Sequence, residues 1–221
     1  MFLAGQMKRI DSVYPHKPKI AFILAPNATA TSSCTIKQAC CVAGIDLDRV
    51  CTVNKVEALK IAYTRKVQAL QPSERTALEG KKAVVIEMGA AQTTAILVDV
   101  KSLDAKNTPL FAKGGPTVIK SVYDAALGAS DFDMVIFDHF AKICEEKHQT
   151  PITFNSKRGK RLIAGCERVR KLLSQLPEAA VTVENLTDNG DVNFKLTRDE
   201  LKRLGEPLLK KFQNLMNDLF E

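Results

Sequence analysis

The sequence predicts an α/β protein in which a sheet-and-helix layer is followed by a smaller α+β module of helices and a β-hairpin. In the first half, short apolar runs rich in β-branched residues alternate with segments of helical period, as in strand–helix repeats. In the second half, two long helical segments precede two strand segments that flank the turn residues 188–191. Of the 221 residues, 45% are hydrophobic, which is enough to bury a substantial core.

The first half is expected to form a mixed sheet with helices packed against it. Strands are expected at 19–25, 49–53, 83–88, 93–100 and 110–113, and helices at 31–44 and 56–69. The second of these helices should turn Leu59, Ala62 and Tyr63 inward. Because only four residues separate the strands at 83–88 and 93–100, these two strands should pair as an antiparallel hairpin.

Capping residues and prolines divide the second half into elements. Ser130, with Asp133 three residues later, is expected to cap a helix that ends near residue 147. The other expected elements are a helix over 157–175 capped by Ser156, strands at 181–184 and 192–196, and two closing helices that begin at the capping box of Thr197 and Glu200 and divide at Gly205 and Pro207.

One side of the segment 157–175 carries a polar stripe. At 100° per residue, Glu167, Arg170, Lys171 and Ser174 share one face, opposite an apolar face. The stripe offers an anionic acceptor, two cationic donors and a hydroxyl, which can hold a ribose and stack a guanidinium on a base. A solvated helix face has the same composition, so both interpretations stay open at this point. Because they lie opposite the apolar face, Arg170 and Ser174 should be replaceable without loss of the fold.

The turn between the two hairpin strands consists of small residues. Gly89, Ala90 and Ala91 would let backbone N–H groups approach a phosphate, although hairpin geometry alone also favours small residues. The basic run 157–161 has the composition of an exposed helix start and carries no groups that read bases. The three histidines have no partner at a suggestive spacing, so no catalytic residue is assigned.

Composition narrows the functional classes. The net charge is +7, but there is no Trp and only 6% of the residues are aromatic, so base stacking is poorly served and nucleic acid is disfavoured as a partner. The six cysteines form no C-x-x-C pair, which argues against a metal site and fits free thiols in a reducing, cytoplasmic compartment. No apolar run reaches the roughly 20 residues of a bilayer-spanning helix, so no membrane partner is expected.

Several motifs in fixed order resemble the second lobe of the ATPase domain of the heat-shock 70-kDa chaperones. Residues 127–133 are similar to that family's L-G-G-x-D-F-D helix start, and residues 166–174 are similar to its adenosine-side C-E-x-x-K-[KR]-x-L-S helix. Residues 196–198 are similar to its I-T-R segment, and parts of 42–63 and 85–89 also match in order. The resemblance extends, with divergence, over nearly the whole chain.

The resemblance implies an actin-like fold and a nucleotide ligand. It implies a base over 1–127, a cap over 128–205, and a helix over 206–221 that returns towards the base. It places Glu167, Arg170, Lys171 and Ser174 on the family's adenosine-contacting positions, and Gly89, Ala90 and Ala91 in its second phosphate loop. The implied ligand is ATP or ADP, bound weakly, with magnesium in the full-length parent.

The sequence departs from the family pattern where catalysis takes place. The family's D-L-G-G-G-T-F-D loop corresponds to 87–94, where Ala90 and Ala91 replace glycines and Thr94 replaces the last carboxylate. Its N-E-P-T segment corresponds to 54–57, where Lys55 stands in place of the carboxylate. No ATP hydrolysis is therefore expected of this chain alone. Such departures in the phosphate and catalytic segments are similar to those of the divergent heat-shock 110-kDa relatives.

The favoured function is therefore that of a partial nucleotide-binding domain of a divergent heat-shock 70/110-kDa-type chaperone. No segment resembles the other ATPase lobe or a substrate-binding domain, and the parent chain is expected to supply both. Two alternatives stay open. One is a co-chaperone or nucleotide-exchange module that binds no nucleotide and has a 70-kDa chaperone as its partner, and the other is a basic nucleic-acid-binding protein.

Overall fold

The computed structural model describes residues 2–14, 16–100 and 116–221. Its elements in chain order are α1 Phe2–Val13, β1 Ile20–Leu24, α2 Ala30–Val42, β2 Val50–Asn54, α3 Lys55–Gln68, α4 Pro72–Thr76, β3 Lys82–Met88, β4 Thr93–Asp99, β5 Thr117–Asp124, α5 Ala129–His148, α6 Lys157–Leu173, β6 Glu178–Thr187, β7 Gly190–Thr197, α7 Arg198–Leu204 and α8 Glu206–Phe220. The predicted α/β class is confirmed. The strand expected at 110–113 lies outside the described residues.

The chain divides into two compact units. The first comprises Met1–Val85 and Thr94–Ser121, and the second comprises Ile86–Thr93 and Val122–Glu221. The division passes through β3, β4 and β5, so each unit is built from two separate stretches of sequence. The subdomain boundaries expected after residues 127 and 205 stay a prediction.

In the first unit, β1 and β2 pair in parallel and are connected through α2. The register places Ile20 opposite Val50. Cys40 of α2 is fully buried in a small core that also contains Met7 of α1 and Ile45. The helix α1 has no counterpart among the expected elements, and its apolar side joins this core through Met7.

The third helix also lies in the first unit, and its buried face differs from the expected one. Val67 is buried with Val100, and Tyr63 packs against them as predicted. Ala62 is exposed, so its predicted inward position is wrong. The buried stripe is centred on Thr64 and Val67, which turns Ala62 towards solvent.

The strands β3 and β4 form the predicted antiparallel hairpin. At the turn, the backbone N–H of Gly89 donates to the carbonyl of Gln92 at 2.8 Å, and at the far end the N–H of Val100 donates to the carbonyl of Lys81 at 2.9 Å. Among the described residues, pairing is confined to strands that follow one another in the chain, in the sheets β1-β2, β3-β4-β5 and β6-β7. The parallel and hairpin strands expected in one mixed sheet therefore lie in separate sheets.

The second unit is built around α5, α6 and the β6–β7 hairpin. Phe140 of α5 is fully buried and stacks on Phe194 of β7, with ring centroids 4.3 Å apart. The apolar side of α6, with Leu162 and Cys166, faces the same core. The hydroxyl of Ser156 accepts the N–H of Gly159 at 2.9 Å, which confirms the predicted cap of α6.

The start of α5 differs from the predicted cap. Gly128 is the N-cap, and the Asp131 carboxylate accepts its N–H at 2.6 Å. The expected pairing of Ser130 with Asp133 is wrong, because the N–H of Ser130 donates to the carbonyl of Ala90 instead, at 2.8 Å. The helix therefore begins one residue before the predicted cap, and Asp133 is available for another contact.

The hairpin β6–β7 turns as predicted but is longer than expected. Gly190 has φ +104°, and it lies opposite Thr187 at the turn. The register shifts between Val183 and Thr187, where Asn185 adopts φ +48° and its N–H donates to the Asp191 carboxylate at 2.8 Å. This bulge lets β6 continue past residue 184, where the expected strand ended.

The closing helices divide at Gly205, as predicted, and α8 packs inside the second unit. Leu208 and Leu215 of α8 form a cluster with Leu127, and Val122 packs against it. Within the described part of the chain, no helix is both long and apolar enough to cross a bilayer.

Candidate functional site

The polar stripe predicted on α6 is present as a group of neighbouring side chains. The Nζ atom of Lys171 lies 2.7 Å from Oε1 of Glu167, one helical turn away. Ser174 ends the helix, and its hydroxyl donates to the carbonyl of Lys171 at 2.6 Å. All three side chains are exposed, so the face they form is accessible to a ligand.

Arg170, the fourth member of the stripe, is committed to a contact with α5. Its Nε and Nη2 atoms donate to the two carboxylate oxygens of Asp133, at 2.6 and 3.2 Å. Asp133 is buried, with 7% of its surface exposed, and the Arg170 side chain is 25% exposed. The expectation that Arg170 can be replaced without disturbing the fold stays a prediction, but this ion pair argues against it, because loss of Arg170 would leave a buried carboxylate unpaired.

Asp133 is the residue of this site that sequence reasoning missed. The sequence places it in the D-F-D motif and suggests the helix cap as its role, which Asp131 fills instead. Helical period could have predicted that Asp133 is buried, because it lies on the same side of α5 as Ile136 and Phe137, which face the core. A carboxylate on the buried side of a helix needs a cationic partner, and Arg170 is that partner.

Charge and burial set the chemistry of two neighbouring groups on α6. The hydrogen bond from Lys171, helped by the charges of Lys171 and Arg170, lowers the pKa of Glu167, which keeps this residue an anionic acceptor. On the opposite side, burial together with the negative charge of Asp133 raises the pKa of Cys166 to about 12. Cys166 is therefore a core thiol and no nucleophile.

The turn at 89–92 is fastened to the beginning of α5. The carbonyl of Gly89 accepts the N–H of Ala129 at 2.9 Å, and the carbonyl of Ala90 accepts the N–H of Ser130 at 2.8 Å. Ala90 and Ala91 are exposed, so their methyl groups lie on the accessible side of the turn. The first amides of α5 are thus used to hold the turn and are not available to an anion.

The helix α5 connects the two parts of the candidate site. Its first residues bind the turn, and one helical turn later Asp133 binds Arg170 of α6. The Thr93 hydroxyl donates to the carbonyl of Leu127 at 2.6 Å, which holds the residue just before the N-cap of α5. The structure therefore attaches the turn 89–92 and the stripe of α6 to one rigid element.

Thr94 and Lys55, at the two positions where the resembled family has carboxylates, both belong to the first unit. Thr94 is fully buried, and its hydroxyl has no hydrogen-bond partner among the described residues. Lys55 is the first residue of α3 and follows Asn54, whose side chain caps the helix by accepting the N–H of Val56 at 2.9 Å. The ammonium group of Lys55 cannot ligate a cation, and Thr94 offers a single neutral hydroxyl in place of a carboxylate.

Comparison with known proteins identifies the family. The family model described as Hsp70 protein matches residues 30–221. A heat shock protein homolog of Saccharomyces cerevisiae is 31% identical over 177 residues, which cover 80% of this chain and 23% of that protein. Heat shock 70 kDa protein 16 of Arabidopsis thaliana is 32% identical over 158 residues, which cover 71% of this chain and 21% of that protein.

The chain therefore belongs to the Hsp70 family, within the heat-shock 70/110 superfamily, and it has the actin-like ATPase fold of that family. It corresponds to part of the nucleotide-binding domain of these chaperones. It spans less than a quarter of the length of the two relatives just described. Heat shock 70 kDa protein 14 of Arabidopsis thaliana matches a shorter stretch, at 35% identity over 101 residues, which cover 46% of this chain and 12% of that protein.

Proposed function

We propose that this chain forms the adenosine side of the nucleotide cleft in a divergent heat-shock 70/110-kDa-type chaperone, and that it binds ADP or ATP weakly on its own. The observation that carries the proposal is the exposed stripe of Glu167, Lys171 and Ser174 on α6, beside an Arg170 that Asp133 holds in place. The Hsp70 family membership supplies the class of ligand.

Each member of the stripe has a role that fits an adenosine. The Glu167 carboxylate accepts a hydrogen bond from a ribose hydroxyl, Lys171 flanks the base, and the Ser174 hydroxyl hydrogen-bonds the purine edge. Arg170 contacts the ligand directly: its guanidinium, oriented by Asp133, offers a planar face on which the base stacks.

The affinity should be low because the stripe is already hydrogen-bonded within itself. A ligand must displace the bonds of Lys171 to Glu167 and of Ser174 to the Lys171 carbonyl. A charge-assisted hydrogen bond contributes about 1.5–3 kcal/mol at best, and a few of them must offset the entropy of association. The dissociation constant should therefore be roughly millimolar to high micromolar.

Titration of 15N-labelled chain with ADP, followed by NMR, tests this proposal. Shifts should concentrate on residues 167–174 of α6, and Lys171→Ala with Ser174→Ala should weaken binding by about tenfold, as expected for two lost hydrogen bonds. Lys202→Ala, an exposed change on α7, is the control and should leave binding unchanged. Unchanged binding in the double variant would return the stripe to a solvated helix face.

We also propose that the isolated chain does not hydrolyse ATP. Thr94 and Lys55 occupy the positions of family carboxylates, and the other ATPase lobe is not among the described residues. A turnover assay with magnesium and ATP should show no release of phosphate above the buffer. Magnesium-dependent hydrolysis that disappears in Lys55→Ala would contradict this proposal.

A second candidate function is that of an interaction module for a 70-kDa chaperone, without a nucleotide. The observation that favours it is the exposed basic side of α6, where Lys157, Lys160, Arg161 and Arg168 are all accessible. Calorimetry against a 70-kDa chaperone tests it, and no heat of association at micromolar concentrations would remove it.

A cytosolic location is a further part of the proposal, since all six cysteines are free thiols.

A further inference from the structure

A basic groove lies between α6 and β6, on a side of α6 that adjoins the polar stripe. Its volume is about 500 Å³. Four cationic side chains from α6 and one carboxylate from β6 line it: Lys157, Lys160, Arg161 and Arg168, with Glu184. The lining therefore carries a net charge of about +3, from four positive groups and one negative group.

The groove is shaped by two local features of the backbone. Gly165 has no side chain where Val183 approaches, and a Cβ there would lie 3.0 Å from Cγ2 of Val183. The bulge at Asn185 turns its carbonyl towards α6, where Nη1 of Arg161 donates to it at 3.1 Å. Arg161 is therefore held at the bulge of β6.

The β6 strand offers an unpaired edge beside these cations. In the described part of the chain, β6 pairs with β7 alone, so its other edge presents backbone N–H and C=O groups without a strand partner. The exposed side chains of Thr182 and Glu184 alternate with the buried Val181 and Val183 along this strand. Such an edge can accept one more strand from another protein.

We infer that this groove binds an acidic, extended segment of a partner protein, which adds as a strand to the edge of β6 and places its carboxylates on the cations of α6. This inference rests on the interaction function proposed above as the second candidate, and it is independent of nucleotide binding. It specifies the chemistry of the partner as a segment in which acidic and apolar residues alternate.

The spacing of the cations suits a strand. Lys157 and Arg161 lie four residues apart, or about 6 Å along the helix, and alternate residues of a strand recur every 6.6 Å or so. Within the described residues, Lys157, Lys160 and Arg168 form no ion pair, so an incoming carboxylate displaces none. Among the residues that the structure describes, Arg161 hydrogen-bonds only the carbonyl of Asn185, so its charge is not paired with a carboxylate.

The lining favours a peptide over a single-stranded nucleic acid. With the carboxylates turned towards α6, the alternate side chains of the segment point to the other side of the sheet, where β-branched apolar residues favour the extended conformation. Among the residues that the structure describes, no aromatic side chain lines the groove, so bases find no stacking surface on them.

The probe for the test is a fluorescein-labelled peptide of about eight residues in which Glu alternates with Val, as a strand that faces the groove requires. Fluorescence anisotropy with the 221-residue chain should show saturable binding at about 0.15 M salt. The peptide with Gln in place of Glu, and the peptide N-methylated at alternate residues, should both lose binding. The first removes the carboxylates and the second removes the strand hydrogen bonds.

The protein variants locate the site. Lys160→Glu with Arg168→Glu should weaken binding by at least about tenfold, because two attractive charges become repulsive. Lys202→Glu with Lys210→Glu makes the same change of charge on exposed positions of α7 and α8 and should leave binding within about twofold, since these residues lie off the groove. Circular dichroism checks the fold, and Lys160→Gln with Arg168→Gln replaces the reversal if it does not fold.

Several results would overturn the inference: no binding, equal binding of the Gln peptide, retained binding of the N-methylated peptide, or equal loss in the control pair. Tighter binding of a single-stranded oligonucleotide that also depends on Lys160 and Arg168 would assign the groove to nucleic acid instead. If the peptide fails while the 70-kDa chaperone still associates, the interaction function stands and only this groove is removed from it.

Discussion

Gly128 shows how closely the start of α5 approaches the turn at 89–92. A Cβ on Gly128 would lie 2.3 Å from the carbonyl oxygen of Ala90, and backbone atoms of Ala91 are almost as near. We expect Gly128→Ala to destabilise the chain by about 1–3 kcal/mol, because backbone must move to relieve the clash. Chemical unfolding followed by circular dichroism measures the change.

Gly5→Ala is the matched control for this substitution. A Cβ at Gly5 meets nothing within 4 Å, and Ala is favoured over Gly inside a helix such as α1. The control should leave stability unchanged or slightly raised. Equal stability of the Gly128→Ala chain and the unaltered chain would show that the turn is not fastened to α5 as described.

The ion pair of Asp133 with Arg170 is the second prediction at the residue scale. Arg170→Ala should cost about 2–3 kcal/mol, less than the 3–5 kcal/mol of a fully buried pair because Arg170 keeps a quarter of its side chain exposed. Asp133→Leu with Arg170→Met should recover much of this loss, since neither charge is then left buried alone.

A double-mutant cycle in chemical unfolding measures this coupling. Losses that simply add in the double variant would mean that the two side chains do not interact in solution. Lys171→Ala is the control, because its partner Glu167 is half exposed and exposed helix pairs contribute about 0.3–0.5 kcal/mol.

At the scale of single elements, the start of α7 carries a pH-dependent cap. The Glu200 carboxylate accepts the N–H of Thr197 at 2.9 Å and its hydroxyl at 2.8 Å, and these bonds lower the pKa of Glu200. Since the folded pKa lies below the ordinary value of 4.5, the stabilisation is present above that pH and is lost as the pH falls through the folded value.

We therefore expect Glu200→Gln to reduce the loss of stability between about pH 5 and pH 3. Chemical unfolding at several pH values measures the slope. Glu221→Gln, at the exposed end of the chain, should leave the slope unchanged. An identical acid slope in the Glu200→Gln chain would mean that the cap does not hold this carboxylate in solution.

At the scale of the whole molecule, the six thiols report on the cores of both units. Cys34, Cys41 and Cys51 are exposed, whereas Cys40, Cys144 and Cys166 are buried. Burial raises the pKa of all three buried thiols, and that of Cys166 to about 12. At pH 8, about one Cys166 thiol in ten thousand is then ionised, so alkylation should be very slow.

Mass spectrometry after brief treatment with iodoacetamide should find three modified cysteines in the folded chain and six in denaturant. Modification of Cys166 at the rate of Cys51 would contradict the buried position of Cys166 on α6. Fast reaction of Cys40, with slow reaction of Cys144 and Cys166, would instead contradict the buried position of Cys40 in the core of the first unit.

Local chemistry made much of the fold predictable. Ser156, Thr197 and Gly205 act within a few residues of themselves, so their roles in capping and dividing helices follow from neighbouring sequence alone. The hairpin at 83–100 follows in the same way from its short turn. The face shared by Glu167, Lys171 and Ser174 follows from helical period, which needs no knowledge of the rest of the chain.

Contacts between distant segments were beyond such reasoning. Asp133 and Arg170 lie 37 residues apart, and no local pattern states that one side of α5 meets one side of α6. No local pattern predicts that the carbonyls of Gly89 and Ala90 accept the first N–H groups of α5. Nor does one predict the groove where β6 runs beside the cations of α6.

By itself, the sequence determined most of the elements, the family resemblance and the residue types available at the candidate nucleotide site, because these depend on period, caps and motif order. Only the tertiary structure decided that Arg170 pairs with the buried Asp133 while Glu167, Lys171 and Ser174 remain exposed. The physical reason is that burial and pairing of a charge depend on which surfaces meet, and surfaces meet only once the chain is folded.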